Sequence, residues 1–121
     1  MTRKIFVIED DQAILDLMEL LIRKLDFEPV LVADATESLE MIQQDPPSLI
    51  LLDIMMAPMN GWELLALLRK DKKTKDIPVI LFTASPSVDE RMGMLNDPHL
   101  GILQKPVSFA EFKSAIGQFL S

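Results

Sequence analysis

The chain has no cysteine, no internal repeat and no low-complexity segment, and it has a single histidine among its 121 residues. Without cysteine there is no disulfide framework and no thiol chemistry, which suits a reducing cytoplasm. No apolar run approaches the ~20 residues of a membrane span. The apolar stretch after the basic N-terminal residues is also too short for an export signal. We therefore expect a cytoplasmic protein without a membrane partner.

Acidic residues outnumber basic residues by 19 to 12, which gives a formal net charge of −7. Such a chain is a poor direct partner for nucleic acid, whose phosphates attract basic surfaces. The charge suits a basic partner surface or a bound cation, although moderate acidity also serves solubility alone. The content of 49% hydrophobic and 26% charged residues is ordinary for a globular protein. We expect one domain that spans residues 1–121.

Short apolar runs alternate with helical periodicities along the chain. The runs predict five strands, at residues 5–8, 30–32, 49–52, 78–82 and 101–103. The third and fourth runs are apolar throughout, which is typical of a parallel sheet covered on both faces. The sequence therefore predicts a doubly wound α/β domain with five parallel strands and five helices.

Residues that favour helix starts precede four of the predicted helices, and they are Asp11, Asp34, Ser85 and Ser108. In the first helix, apolar residues at the spacing of one helical face predict the buried side. They are Ile14, Leu17, Met18, Leu21 and Leu25. The fourth predicted helix covers residues 85–95 and ends before Asp97-Pro98.

Polar side chains follow the apolar runs at four strand ends. They are Glu9, Asp10 and Asp11 after the first strand, Asp53 after the third, Thr83 after the fourth and Lys105 after the fifth. Because the carboxyl ends of parallel strands share one edge of a sheet, we expect these side chains to gather there. Doubly wound folds bind their ligands outside this edge. No comparable set lies at the other ends of the strands.

Converging carboxylates repel one another, and a divalent cation removes that conflict. Magnesium suits the predicted site because it takes one or two protein carboxylates and leaves positions for phosphate oxygens. Calcium suits it less, since no loop supplies a cage of closely spaced ligands. Lys105 can contact a phosphoryl oxygen or Asp53 itself, and Thr83 offers a hydroxyl donor. The set points to Asp53 as the nucleophile of aspartyl-phosphate chemistry.

Each of these residues also has a simpler interpretation when it is taken alone. An aspartate after a strand is most often a turn or cap residue. Thr83 alone could satisfy backbone groups at a strand end, and Lys105 alone could be a solvated charge. Only the combination of all of them at one edge favours a functional site.

The combination resembles the receiver domain of bacterial two-component response regulators, over essentially the whole chain from Lys4 to Leu120. The matching pieces are Glu9-Asp10, Asp53, Asn60-Gly61, Thr83-Ala84 and Lys105-Pro106. The resemblance implies a flavodoxin-like sheet with strand order 2-1-3-4-5. It also implies a protein that acts by phosphorylation and partner contacts rather than as an enzyme.

The resemblance assigns roles to these residues. Asp53 is the expected phosphoacceptor, which takes a phosphoryl group from a histidine kinase or a phosphotransfer protein. Thr83 and Lys105 are expected to contact that group, and the Lys105-Pro106 bond is expected to be cis. Phosphorylation would switch the face formed by the fourth helix, the fifth strand and the fifth helix. The output partner is unknown, and we expect a monomer or a weak dimer on phosphorylation.

The resemblance also implies a magnesium site. Asp10 and Asp53 would bind Mg²⁺ through their side chains and Met55 through its backbone carbonyl. Glu9 would assist through water. A flavin carrier of the same fold would need a glycine- and hydroxyl-rich loop after the first strand, where this chain is acidic. A haloacid-dehalogenase-type phosphatase would need an aspartate where Met55 stands.

Two positions depart from the family pattern. The proline usual four residues after the phosphoacceptor is replaced by Ala57, with Pro58 next. The aromatic residue usual three positions before the lysine is replaced by Ile102, which puts the aromatic relay of the switch in doubt. The segment before the fifth strand is also unusual, and we expect its His99 to be an exposed loop residue. These departures keep one rival open, a pseudo-receiver that binds partners without being phosphorylated.

Overall fold

The computed structural model describes residues 3–56, 59–83 and 97–120. These residues form five strands and four helices. In chain order they are β1 (Lys4–Ile8), α1 (Gln12–Lys24), β2 (Glu28–Val32), α2 (Ala35–Gln44), β3 (Leu49–Asp53), α3 (Gly61–Lys70), β4 (Val79–Thr83), β5 (Leu100–Gln104) and α4 (Phe109–Phe119). The helix predicted over residues 85–95 lies outside the described residues, so α4 is the helix predicted as the fifth. None of the described helices is long and apolar enough to cross a membrane.

The strands form one parallel sheet in the order β2-β1-β3-β4-β5, which confirms the predicted topology. β3 lies at the centre, and all five of its residues are buried, which explains its unbroken apolar run. β2 lies at one edge and includes Pro29, a residue that a sheet tolerates at its edge. Asp53 and Thr83 are the last residues of β3 and β4, one position further than the apolar runs predicted.

Successive strand residues point to opposite faces of the sheet, and this alternation divides the core into two layers. On one face, residues of β1, β3 and β4 such as Ile50 and Leu52 pack against α2 and α3. On the other face, alternate residues such as Leu49 and Leu51 pack against α1 and α4. The side chains of residues 5–8 in β1, 49–53 in β3 and 79–82 in β4 are almost completely buried, whereas those of the outer strands β2 and β5 are mostly half-buried. The backbone ends of these strands are therefore rigidly placed.

The predicted helix caps are present at the described helix starts. Asp11, Asp34 and Ser108 accept hydrogen bonds from backbone N–H groups in the first turns of α1, α2 and α4. Asn60 caps α3 in the same way and forms a reciprocal capping box with Glu63, which had not been predicted.

The buried face of α1 differs from the predicted one. Leu15, Met18 and Ile22 are buried, whereas Leu17 is 44% exposed. The prediction for Leu17 was wrong because α1 carries apolar residues on more than one face, and periodicity alone does not show which face meets the sheet. Leu20, also on α1, is 67% exposed.

Arg69, in the last turn of α3, connects three elements at the amino-terminal edge of the sheet. Its Nε donates to Asp97 Oδ2 at 2.7 Å, and its terminal nitrogens donate to the carbonyls of Ile77 and His99 at 2.8 and 3.2 Å. Burial alone would raise the pKa of Asp97. The hydrogen bonds from Arg69 and from the His99 N–H, together with the guanidinium charge, outweigh burial and lower this pKa.

Replacing Arg69 by methionine keeps the apolar stem and removes these donors. We expect Arg69→Met to lower the free energy of unfolding by about 2–4 kcal/mol at pH 7, because Asp97 keeps a half-buried charge without its partner. Since the folded-state pKa of Asp97 is lowered, its contribution is present above the ordinary aspartate pKa. It is lost as the pH falls below about 4. Urea unfolding at pH 7 and pH 3 measures both effects.

The matched control is Lys70→Met, which changes the exposed neighbour of Arg69 on the same helix. We expect this variant to stay within about 0.5 kcal/mol of the parent. Equal losses in the two variants would show that the Arg69 contacts do not stabilise the fold.

Candidate functional site

The side chains of the site share one face of the sheet because they continue the two-residue period of its strands. Asp53 follows Leu49 and Leu51 on the face covered by α1 and α4. Glu9 continues β1 and Lys105 continues β5 in the same phase. The sheet thus directs all three side chains to the same place beyond its core.

Three carboxylates meet at this edge. One ligand oxygen each from Glu9, Asp10 and Asp53 lie within 4.8 Å of one another. Glu9 and Asp53 are 1% and 3% exposed, while Asp10 is exposed to solvent. The structure therefore brings together Glu9, Asp10 and Asp53, three of the four acids predicted at this edge, whereas Asp11 caps α1. Such a donor set fits a hard divalent cation that keeps several waters.

Lys105 lies against the two buried acids. Its Nζ is 3.4 Å from Glu9 Oε2 and 3.6 Å from Asp53 Oδ2, and its side chain is 25% exposed. The peptide bond to Pro106 is cis, as the resemblance implied. Two backbone N–H groups complete the hydrogen bonding, from Asp11 to Glu9 Oε1 and from Met55 to Asp53 Oδ1, each at 3.1 Å.

The pKa of Glu9 is raised to about 7. Burial is the largest cause, followed by the hydrogen bond and the negative charge of Asp53. The charge of Lys105 and the N–H of Asp11 oppose this rise without cancelling it. The positive charge of Lys105 therefore does not balance the negative charge of this acidic cluster. A second positive charge beside it would lower the pKa of Glu9.

Gly61 allows the start of α3 to pass close to the end of β3. Its N–H donates to the Ile54 carbonyl at 3.0 Å. A Cβ at this position would lie 2.6 Å from the Asp53 carbonyl oxygen and 2.8 Å from the Ile54 Cα, both backbone atoms. The Asn60-Gly61 pair therefore combines a helix cap with a close approach that sets the backbone of Asp53.

Several other predicted residues can be placed. Thr83 is the last residue of β4. The side chain of Met55 is 70% exposed. Ile102 is partly buried against the core layer of α2 and α3. His99 lies directly before β5, and its side chain is 43% exposed. Ala57 and Pro58 lie outside the described residues.

An apolar groove of about 410 Å³ opens beside the acidic cluster, and periodicity did not predict it. It is lined by Ile14, Leu17, Met18, Phe82, Lys105, Pro106 and Val107. Leu17 lies outside the buried face of α1, and its partly exposed side chain lines this groove. Lys105 is the one charged residue among the described residues that line it.

The comparisons with known proteins agree with this architecture. Residues 5–117 match the family model described as the response regulator receiver domain. The transcriptional regulatory protein HprR of Escherichia coli K12 is 35% identical over 113 residues, which are 93% of this chain and 49% of that protein. The chain spans about half the length of the curated relatives it matches.

Solved structures show the same fold. The N-terminal domain of a response regulator receiver protein from Methanoculleus marisnigri JR1 superposes with a TM-score of 0.80 at 32% identity, covering 100% of this chain and 98% of that one. The receiver domain of the sensor histidine kinase PA1611 from Pseudomonas aeruginosa PAO1, which has magnesium in its active-site cleft, gives 0.87 at 22% identity, covering 98% of each chain. The chain belongs to the response regulator receiver domain family of two-component signalling, in which aspartate phosphorylation and magnesium are typical.

Gly61→Ala tests the close approach beside Asp53. We expect it to lower the free energy of unfolding by about 1–3 kcal/mol and to weaken magnesium binding, because the backbone of Asp53 and Ile54 must move away from the new methyl group. Thermal unfolding and a magnesium titration followed by Trp62 fluorescence measure the two effects.

Gly117→Ala is the control, since a Cβ in that α4 position meets nothing within 4 Å. We expect it to stabilise the chain by about 0.5–1 kcal/mol, because alanine favours helix more than glycine. If both alanine variants behaved alike, the close approach at Gly61 would have no special importance.

The raised pKa of Glu9 predicts a pH dependence in metal-free buffer. Between the ordinary value of 4.5 and about 7, the folded state holds a proton that the unfolded state has released. The free energy of unfolding should therefore fall as the pH rises from 5 to 8, by up to about 3 kcal/mol. Urea unfolding with a chelator at several pH values measures this slope.

Glu9→Gln should remove most of this slope, whereas Glu40→Gln, at an exposed position on α2, should retain it. Identical slopes in the parent and in Glu9→Gln would contradict the assignment to Glu9.

Proposed function

We propose that this chain is a phosphoacceptor receiver domain in which Asp53 takes a phosphoryl group from the phosphohistidine of a histidine kinase or phosphotransfer protein. The observation that carries the proposal is the placement of Asp53 beside Glu9, Asp10 and Lys105 at the carboxyl edge of the sheet. At this position Asp53 has two neighbouring carboxylates that can help to bind a cation. It also has the Lys105 ammonium beside it, which can bind the oxygens of an incoming phosphoryl group. Membership of the receiver family supports the same role.

The donor set fits a magnesium ion. Asp10 and Asp53 would hold it with their carboxylates, Met55 with its backbone carbonyl, and Glu9 through water. The three carboxylate oxygens lie within 4.8 Å of one another, and the raised pKa of Glu9 marks an excess of negative charge. When bound, magnesium supplies positive charge that stabilises the oxygens of a transferring phosphoryl group.

In the transfer, one carboxylate oxygen of Asp53 forms the new P–O bond. The P–N bond of the phosphohistidine breaks, and the imidazole leaves with its electron pair. Lys105, already 3.6 Å from Asp53 Oδ2, would then bind a phosphoryl oxygen. Thr83, at the end of β4, would donate its hydroxyl to another oxygen. The chain is the acceptor in this reaction rather than a turnover enzyme.

The added charge of roughly −1.5 to −2 would change the surface that includes β5 and α4. Ile102 stands where an aromatic relay is usual, so Thr83 would carry the change without an aromatic partner at that position. The relatives include transcriptional regulators about twice as long as this chain. We therefore propose a protein partner or output segment as the reader of this surface, in the cytoplasm, with no nucleic-acid contact by residues 1–121 themselves. A weak dimer on phosphorylation is one form of output.

Intact mass after treatment with acetyl phosphate tests the proposal. We expect the parent chain to gain the mass of one phosphoryl group when magnesium is present and none when a chelator removes it. Asp53→Asn should gain nothing, because an amide does not attack the phosphodonor. Asp16→Asn, at an exposed position on α1, should gain the same group as the parent.

A parent chain that never gains mass, and whose Trp62 fluorescence does not respond to beryllofluoride with magnesium, would overturn the phosphoacceptor proposal. The pseudo-receiver would then be the better account, and binding partners of the unmodified chain would become the object of study.

A further inference from the structure

Phe82 lies directly under the ammonium group of Lys105. The Lys105 Nζ is 5.0 Å from the centroid of the Phe82 ring, and the ring itself is 1% exposed. Phe82 is the residue before Thr83 on β4, and no motif of the sequence had singled it out. Its ring also forms part of the wall of the apolar groove.

The sheet register explains this placement. Phe82 is paired with Asp53 on β3 and with Leu103 on β5. Paired residues of parallel strands point to the same face, so the ring lies beside the Asp53 carboxylate and under the chain that continues β5 to Lys105. The core layer formed with α1 and α4 surrounds the ring and fixes its orientation.

The ammonium of Lys105 is a compact charge at the end of a flexible stem, so it needs contacts on several sides to stay in one position. Glu9 and Asp53 approach it through oxygens at 3.4 and 3.6 Å. The ring face of Phe82 supplies a further contact, at a distance where a cation is attracted to the negative face of an aromatic ring. The attraction to the ring is stronger where a cation is partly shielded from water, and three quarters of the Lys105 side chain is buried.

We propose that Phe82 is a positioning residue: its buried ring holds the Lys105 ammonium beside Asp53, where a phosphoryl oxygen would meet it. This role rests on the proposed function of Asp53 as phosphoacceptor. An aliphatic residue of similar size would fill the core equally well but would leave the ammonium without a contact on this side.

Ring fluorination separates this role from core packing. Phenylalanine with one, two or three ring fluorines, incorporated only at position 82, changes the ring volume little and progressively weakens its attraction for a cation. We expect the rate of Asp53 phosphorylation by acetyl phosphate, at saturating magnesium, to fall stepwise along the series. The total decrease should be about 2- to 30-fold, the range that a cation–ring contact provides.

The same series at Phe112 is the matched control. Phe112 is fully buried in the same core layer, and among the described side chains no cation lies over its ring. Fluorination there should leave the rate unchanged. Rates that are insensitive to fluorine number at position 82, or equally sensitive at both positions, would overturn the proposal.

A second measurement does not depend on phosphorylation. In the unmodified chain, the ε-methylene protons of Lys105 should show an upfield ring-current shift in the NMR spectrum, and Phe82→Leu should abolish it. Phe112→Leu should retain it. If the shift is absent, or survives in Phe82→Leu, the ring does not hold the ammonium. Failure of the parent chain to gain phosphate would instead contradict the proposed function, and the NMR result would still decide the position of Lys105.

Discussion

The structure depends on one electrostatic constraint, the placement of two buried carboxylates at the end of a parallel sheet. Glu9 and Asp53 have almost no contact with water, and within the described part of the chain the ammonium of Lys105 is the cation that pairs with them. Burying charge without enough compensation is unfavourable, so the folded protein retains an unmet demand for positive charge at this edge. In the proposed function, a bound divalent cation would meet that demand.

Most of the architecture could be predicted because it follows from patterns local to the chain. Unbroken apolar runs such as residues 49–52 identify central parallel strands, and the residue that follows such a run must lie at the carboxyl edge. Glu9, Asp53 and Lys105 were therefore predictable as neighbours from strand ends alone. The strand order came from the family resemblance, since periodicity does not say which strands are adjacent.

What could not be predicted depends on contacts between residues distant in the chain. The hydrogen bond from Arg69 to Asp97 joins two residues that no pattern in the sequence connects. The position of Phe82 under Lys105 follows from the register of β4 with its neighbours, which no single strand encodes. The exposure of Leu17 likewise depends on how α1 is rotated against the sheet.

The edge strand β2 has a consequence for solubility. The N–H of Glu28 donates inward to the Arg3 carbonyl, so the backbone nitrogen of the next residue faces the open side of the sheet. That next residue is Pro29, which has no N–H to offer. An exposed strand edge is a template for pairing with other molecules, and a missing donor interrupts that template. Pro29 therefore protects the open edge of β2 against aggregation while leaving its bonding to β1 intact.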